Sequence, residues 1–499
     1  MMLRAFCREI LLMRGCSRWI FAPEAQKAGP WRAALFVLAF IFVFFLSTLD
    51  GGVGGGLAFA ISPRDCGWDK AKTDVERFNV LLRTHQLAVS RGENVDYTGM
   101  GVMNIEVPEK FTMIPLTDAT DFKGAVINVR NNTSDNYLFK YESSCKDIQI
   151  PAKLIDSGNF TTIPALAKGM HLLVIEDQNE WAHRNGYSSQ EPRCDVLMIV
   201  DGKAQNKVIQ PYNNKYSAPK CIYCKADTVK KYIRNLIFNR TKDSKKMTFL
   251  MYAYCKNRYS LSNIEINTPQ TELYGDRAIR IINSTNVAMS NVRINGTYSQ
   301  TSHFGYGISL QNVSNIWFSR ITARTDWGVF GSNNVNTATL TNCNINRFDI
   351  HSYGKDVTCT DCVFADMYNQ FSSMYGTLKY TRCTFKNCTP VLLEPSYNAY
   401  TRFSLVMDDC VWNATDERNF IVDCTVKSLS KNSRNELSER YLPDVRISNL
   451  TINADDVTEV YLFGQHSILN SFRGKIGKIN SISVTGVESG RCKLKTSNL

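Results

Sequence analysis

One eight-residue phrase recurs along this chain: apolar, any, apolar, two spacer residues, apolar, any, apolar. It reads Tyr259, Leu261, Ile264, Ile266, then Val287, Met289, Val292, Ile294, then Ile316, Phe318, Ile321, Ala323. Copies follow at Ala338, Leu340, Cys343, Ile345, at Val357, Cys359, Cys362, Phe364, and at Leu378, Tyr380, Cys383, Phe385. The clear set closes with Leu405, Met407, Cys410, Trp412 and Val445, Ile447, Leu450, Ile452. Weaker copies stand at Ile233, Leu236, Phe238 and at Ile479, Ile482, Val484. Alternation of period two makes a half-buried strand. The two spacer residues interrupt it once, so the chain turns a corner and the next strand keeps its apolar face inward.

The third apolar positions, from Ile264 onward, are 28, 29, 22, 19, 21, 27 and 40 residues apart. That is one coil repeated, with loops of varied length, and each coil stacks on the next. The expected fold is therefore all-β: a single-stranded right-handed parallel β-helix, a solenoid with an N-terminal cap and an inserted loop or subdomain. Cys343, Cys362, Cys383 and Cys410 fall on one ladder position, where a small apolar side chain stacks inward. The repeated phrase resembles that of the pectate-lyase-like superfamily of right-handed parallel β-helix proteins, from Tyr232 to Val484. The resemblance implies the fold; its hosts include lyases, hydrolases, epimerases and adhesive proteins.

Before the repeat, Arg4, Arg8, Arg14, Arg18, Lys27 and Arg32 precede fourteen apolar residues, Ala33 to Leu46, and small residues follow up to Ala60. This pattern predicts a secretory signal peptide over 1–60, or an uncleaved signal anchor. A helix of fourteen residues rises about 21 Å, short of a hydrocarbon core of about 30 Å. The expected locations are secreted, periplasmic or cell surface, with membrane attachment only if the segment is uncleaved. Residues 61–164 are expected to hold the cap and first coils, with a helix over Lys70 to Ser90 and strands at Asp96 to Ile105 and Phe122 to Val129. Residues 165–230 read as an insert containing Cys221-Ile-Tyr-Cys224, and residues 231–499 as the main coils. Export favours disulfides pinning the insert through Cys194, Cys221, Cys224 and Cys255, over free thiols or zinc.

The surplus of 58 Lys and Arg over 46 Asp and Glu is compatible with an anionic partner. A basic run from Lys225 through Lys230, Lys231, Arg234 and Arg240 to Lys246 is either a solvated face or a groove edge for an acidic glycan. No nucleic-acid module is recognisable. Asp408-Asp409 resembles the paired acids of β-helical polygalacturonases only superficially, since it occupies the corner spacer.

The densest polar run is Asn346 to Asp356. Phe348 and Ile350 continue the inward alternation, which places Arg347, Asp349 and His351 on the outward face. A coil offset of 21, matching Val357 to Leu378, sets Gln370 beside Asp349 and Ser372 beside His351. Polar and aromatic residues recur before the phrase in neighbouring coils: His303 and Tyr306, then Trp327 with Asn333 and Asn334, then Tyr368, then Glu394 and Tyr397. Such a line suits a glycan groove, or a solvated face with ladder asparagines.

The superfamily resemblance implies a polysaccharide lyase acting on an acidic, uronic-acid-containing glycan. Elimination must neutralise a uronate carboxylate and remove the adjacent proton. Arg347, Asn333, Asn334 and Gln370 are candidates for the first task. His351 is the candidate proton donor, with Tyr353 or Lys355 as base. Tyr368, Glu394, Tyr397, His303 and Trp327 are candidate substrate contacts. The alternatives are a glycoside hydrolase, pairing Asp349 with Glu394 or Asp366, and a non-catalytic glycan-binding or surface-structural protein. No cofactor is expected, and no essential calcium, because no three outward acids cluster.

Overall fold

The computed structural model describes residues 60–130, 137–183, 190–212, 218–240, 249–268, 278–295, 306–323, 328–393, 402–423, 443–454, 459–464, 482–488 and 492–497. Residues 1–59 of the expected signal segment lie outside them. All the described helices and strands belong to the unit from Phe59 onward. Among the described residues, two α-helices accompany a chain otherwise built of strands, and no helix is long and apolar enough to cross a membrane.

The strands pair parallel, coil on coil, at the offsets the sequence spacing requires. Ile264 lies opposite Val292 and Val292 opposite Ile321. The cysteine-bearing corners then follow one another: Asn344 pairs with Val363, Val363 with Thr384, and Thr384 with Val411. The four ladder cysteines just before them are all buried. This is a parallel β-helix with its apolar positions packed into one continuous core. A further five-rung parallel ladder runs through Tyr368–Gln370, Thr389–Leu392, Phe420–Asp423, Glu459–Gly464 and Lys493–Ser497.

The spacer explains how each corner is made. Its second residue has φ between +49° and +62° in nine successive coils, at Asn235, Asn263, Asn291, Arg320, Asn342, Asp361, Arg382, Asp409 and Asn449. This left-handed region tolerates Asn and Asp best after glycine. The same residues satisfy one another: Asn263 Nδ2 donates to Asn235 Oδ1 at 2.9 Å, and Asn291 Nδ2 to Asn263 Oδ1 at 3.0 Å. Asp409 is thus a corner residue, and Asp408 accepts from Ser448 Oγ at 2.6 Å. Neither acid of that pair needs a catalytic explanation.

A second column of left-handed corners, Cys255, Asn283, Asn312, Asn334, Tyr353 and Ser373, is stacked by the registers on either side of it. Here too the amides form a ladder, Asn312 to Asn283 at 2.8 Å and Asn334 to Asn312 at 3.0 Å. One weak copy of the phrase needs correction. Ile482 and Val484 lie opposite Val445 and Ile447, so they are the first apolar pair of the last coil and Val487 is the third position. The short Ile479-Ile482-Val484 spacing matched the wrong half of the phrase.

The helix Asp74–Arg91 caps the first coil. Its N-terminus carries a capping box between Thr73 and Glu76, and Phe78, Leu81 and Ala88 enter the core. The coil at Val102–Glu106 stacks on Ala119–Arg130, and that strand stacks directly on Lys231–Arg240. After one further rung, Tyr137–Glu142, which pairs parallel with Phe249–Tyr254, the chain leaves the stack and forms a sheet of its own. Lys146–Ile148, Met170–His183, Gln190–Val200, Lys203–Ala204 and Lys220–Lys225 form an antiparallel sheet around Phe160, Leu173, Ile175, Leu197 and Ile199. The insert therefore starts near 146 rather than 165.

The insert docks through the second corner column. Asn334 Oδ1 accepts from the Cys194 backbone N–H at 2.9 Å, and Asn334 Nδ2 donates to the Pro192 carbonyl at 3.2 Å. Asn336 Nδ2 donates to the Lys207 carbonyl at 2.6 Å, and Ser314 Oγ to the Val196 carbonyl at 2.8 Å.

Candidate functional site

A buried polar cluster lies where three successive coils meet. Tyr306 opens the strand Tyr306–Ala323, Gly328–Thr341 forms the next rung, and Phe348–Ile350 the one after. Tyr306 pairs with Gly328, and Gly331 pairs with Asp349. Two glycines clear the way between them. A Cβ on Gly331 would stand 2.3 Å from the Tyr306 ring, and one on Gly328 would stand 2.8 Å from Arg347 Cδ. Without those side chains the phenol crosses the middle rung and reaches residues more than forty positions later.

Its hydroxyl sits 2.8 Å from His351 Nε2 and 3.2 Å from Asp349 Oδ2. Asp349 Oδ2 is also 2.5 Å from Arg347 Nε and 3.4 Å from His351 Nε2. Arg347 Nη2 donates to Gln370 Oε1 at 2.9 Å, and its guanidinium lies 4.3 Å over the Tyr368 ring. The Gln370 backbone N–H donates to Asp349 Oδ1 at 3.1 Å. Burial works most strongly against the charge on Arg347, but Asp349, with Tyr306 and Tyr368, together outweigh it, so the guanidinium pKa lies above its ordinary value.

The offset of 21 is present: Ile350 bridges to Phe371, and the Ser372 N–H donates to the Ile350 carbonyl at 3.0 Å. The expected outward exposure is not. Phe348 and Ile350 do enter the core, yet Arg347 is 1% exposed, Asp349 0% and His351 7%. Alternation sets which side of a strand a residue takes, and says nothing of what covers that side. Arg347 is consequently committed to Asp349 and Gln370 rather than offered to a carboxylate.

Tyr353 and Lys355 do not join the cluster's described contacts with His351. Tyr353 sits at φ +55° in the second corner column and packs with Ile209 and Tyr375, and Lys355 Nζ donates to the Val208 carbonyl at 3.0 Å. Both face the insert, which corrects their reading as a loop-borne base. Asn334 is likewise committed to docking the insert. Asn333, half-buried, accepts from Ser352 Oγ at 3.1 Å. Asp366 is exposed at a left-handed corner. Glu394, Tyr397, His303 and Trp327 lie outside the described residues.

Two further expectations change. Part of the basic run is engaged: Lys231 pairs with Asp118 and Arg234 with Asp121 at 2.9 Å, Arg240 donates to the Thr268 hydroxyl at 3.0 Å, and Lys225 and Lys230 are exposed. Lys242, Lys245 and Lys246 lie outside the described residues. The Cys221-x-x-Cys224 pair is not a disulfide; Cys221 enters the insert's core while Cys224 faces the stack beside Cys255. Tyr306 is the residue that sequence reasoning undervalued. The signal for it was Gly328 and Gly331, two glycines in one strand.

No protein-family model matches the sequence, and comparison with curated proteins gives no sequence match. Among solved structures, the Pseudomonas phage phi297 tailspike gp61 is similar at 11% identity and a TM-score of 0.45, over 88% of this chain and 82% of that one. The Gp54 tailspike of Acinetobacter baumannii bacteriophage AP22, solved with an A. baumannii capsular saccharide, gives 13% and 0.47, over 87% and 76%. The tailspike gp49 of Pseudomonas phage LKA1 gives 12% and 0.38, over 88% and 82%. The parallel β-helix is established by the strand registers, independently of these values.

Proposed function

We propose that this chain is an exported, right-handed parallel β-helix of the pectate-lyase-like kind that binds an acidic glycan and cleaves it by β-elimination. The right hand follows the rule for parallel crossover connections. The observation that carries the activity is the Tyr306 hydroxyl held 2.8 Å from His351 Nε2, with Asp349 behind both. In this reading His351 takes the phenolic proton as the Tyr306 oxygen removes the proton beside the uronate carboxylate. The electron pair so released forms the carbon–carbon double bond, and the bond to the leaving sugar oxygen breaks. His351 then returns its proton through Tyr306 to that oxygen. Asp349 stabilises the imidazolium formed on the way, and Arg347 holds Asp349 in place. The substrate carboxylate is held by hydrogen bonds donated by the Asn333 amide, with Tyr368 and Gln370 supporting Arg347 from the next coil.

The second reading is a non-catalytic glycan-binding protein. It is favoured by the closure of the cluster, in which Arg347 and Asp349 satisfy each other almost entirely out of contact with water. Incubation with a panel of uronic-acid polysaccharides separates the two. Absorbance from new unsaturated ends supports elimination, while new reducing ends without that absorbance indicate hydrolysis. Binding on a glycan array with neither product supports the second reading. Neither binding nor cleavage across the panel would overturn both.

A further inference from the structure

The insert and the stack meet at three cysteines distant in sequence. Cys145 precedes the strand Lys146–Ile148, Cys224 lies in Lys220–Lys225, and Cys255 is the corner residue after Phe249–Tyr254. Their sulfurs all lie within 4.8 Å of one another. Cys224 and Cys255 are buried beside Leu172, Val174 and Val196, and Cys145 is half-buried. Among the described residues this is the one group of three potential metal ligands.

Cys255 occupies a position that its column gives to Asn in the next three coils. Its φ of +53° is one that Asn tolerates and Cys rarely adopts. Strain of this kind persists where the surroundings over-determine it. Asn334, three coils on in the same column, docks the insert through its amide. Cys255 meets the insert through sulfur instead. The contacts that the thiols make otherwise are weak: Cys224 Sγ to the Cys255 carbonyl at 3.6 Å and Cys145 Sγ to the Ser143 carbonyl at 3.8 Å.

We propose that Cys145, Cys224 and Cys255 bind a thiophilic divalent ion of the zinc class, which staples the insert to the stack. Tetrahedral bonds of about 2.3 Å put sulfurs about 3.8 Å apart, a spacing that three sulfurs already within 4.8 Å reach by small side-chain adjustment. A disulfide would use two of the sulfurs and leave the third without a role; an ion uses all three. Thiolate ligands select zinc over harder cations. The fourth vertex is filled by water from the half-exposed side at Cys145. The C-x-x-C spacing therefore misdirects: Cys224 is a ligand and Cys221, turned into the insert's core, is not.

The test uses the full chain. Zinc is measured by elemental mass spectrometry after expression with zinc, and Co(II) alone is then added to chelator-stripped protein. One equivalent of zinc and thiolate-to-cobalt absorption are expected. Both should be lost in Cys145→Ser, which is partly exposed and so spares the fold, and both retained in Cys221→Ser. Limited proteolysis should cut the insert faster in Cys145→Ser. Three outcomes each overturn the proposal: no zinc or cobalt uptake with all three thiols alkylatable, a disulfide among the three in a non-reducing peptide map, or undiminished uptake by Cys145→Ser.

Discussion

Arg347→Met removes the counter-ion from a carboxylate that has no access to water. Asp349 would keep the Gln370 N–H at 3.1 Å, with the Tyr306 hydroxyl 3.2 Å away, and neither contact cancels its charge. Breaking one side of a buried pair costs about 3–5 kcal/mol, because the remaining charge is uncompensated. Asp349→Asn should cost a similar amount by stranding Arg347, which is 1% exposed. The double variant should recover most of either loss, since removing both charges of a buried pair is often close to neutral. A double-mutant cycle by urea unfolding at neutral pH, with the slope of each transition compared with wild type, measures this. If Arg347→Met costs less than about 1 kcal/mol, as an exposed pair would, the cluster is open to water and the reasoning fails.

Two further outcomes are expected in other parts of the stack. His85 is fully buried against the Tyr97 hydroxyl at 2.6 Å, and burial holds its pKa down from 6.5 to about 3. Below pH 6.5 the unfolded chain gains a proton that the folded one refuses, so stability falls as pH falls, by about 2.3 kcal/mol between pH 6.5 and 4.5. His85→Gln should flatten that part of the melting-temperature profile, and an unchanged profile would show that His85 is not its source. Asn334→Ala removes bonds to Asn312, Cys194 and Pro192 and leaves Ala at φ +54°. At about 1 kcal/mol for each bond and about 1 more for the backbone, the loss is about 4 kcal/mol; limited proteolysis should show the insert released first, and equal protection would contradict its docking role.

The coils were legible because parallel stacking imposes one constraint on every rung. The phrase names the inward positions, and its spacing reproduces the observed partners from Leu236 to Leu450. It failed only at the last coil, where Ile482 and Val484 fit either half of the phrase. The insert was legible as a break in rhythm, but its own antiparallel sheet starts at Lys146, where no period marks the change. At the candidate site the sequence placed Asp349 beside Gln370 correctly, because that needs only the coil offset. It could not show that Arg347 is spent on Asp349, or that Lys355 reaches Val208 across a gap of 147 residues. The second contact depends on where a looped-out segment docks, and the first on how neighbouring coils close over the strand, neither of which a local pattern encodes. Cys145 was overlooked for the same reason: its partners are set by docking, not by spacing.

Tyr306→Phe tests the central claim most directly. The substitution keeps the ring that Gly331 accommodates and deletes only the hydroxyl 2.8 Å from His351. Turnover of a uronic-acid polysaccharide that the wild type degrades, measured per folded molecule, should fall by about 10²-fold or more. The unfolding midpoint should move by no more than the loss of one or two hydrogen bonds, about 1–2 kcal/mol. Wild-type turnover in the folded variant would contradict the account and leave the cluster a purely structural device.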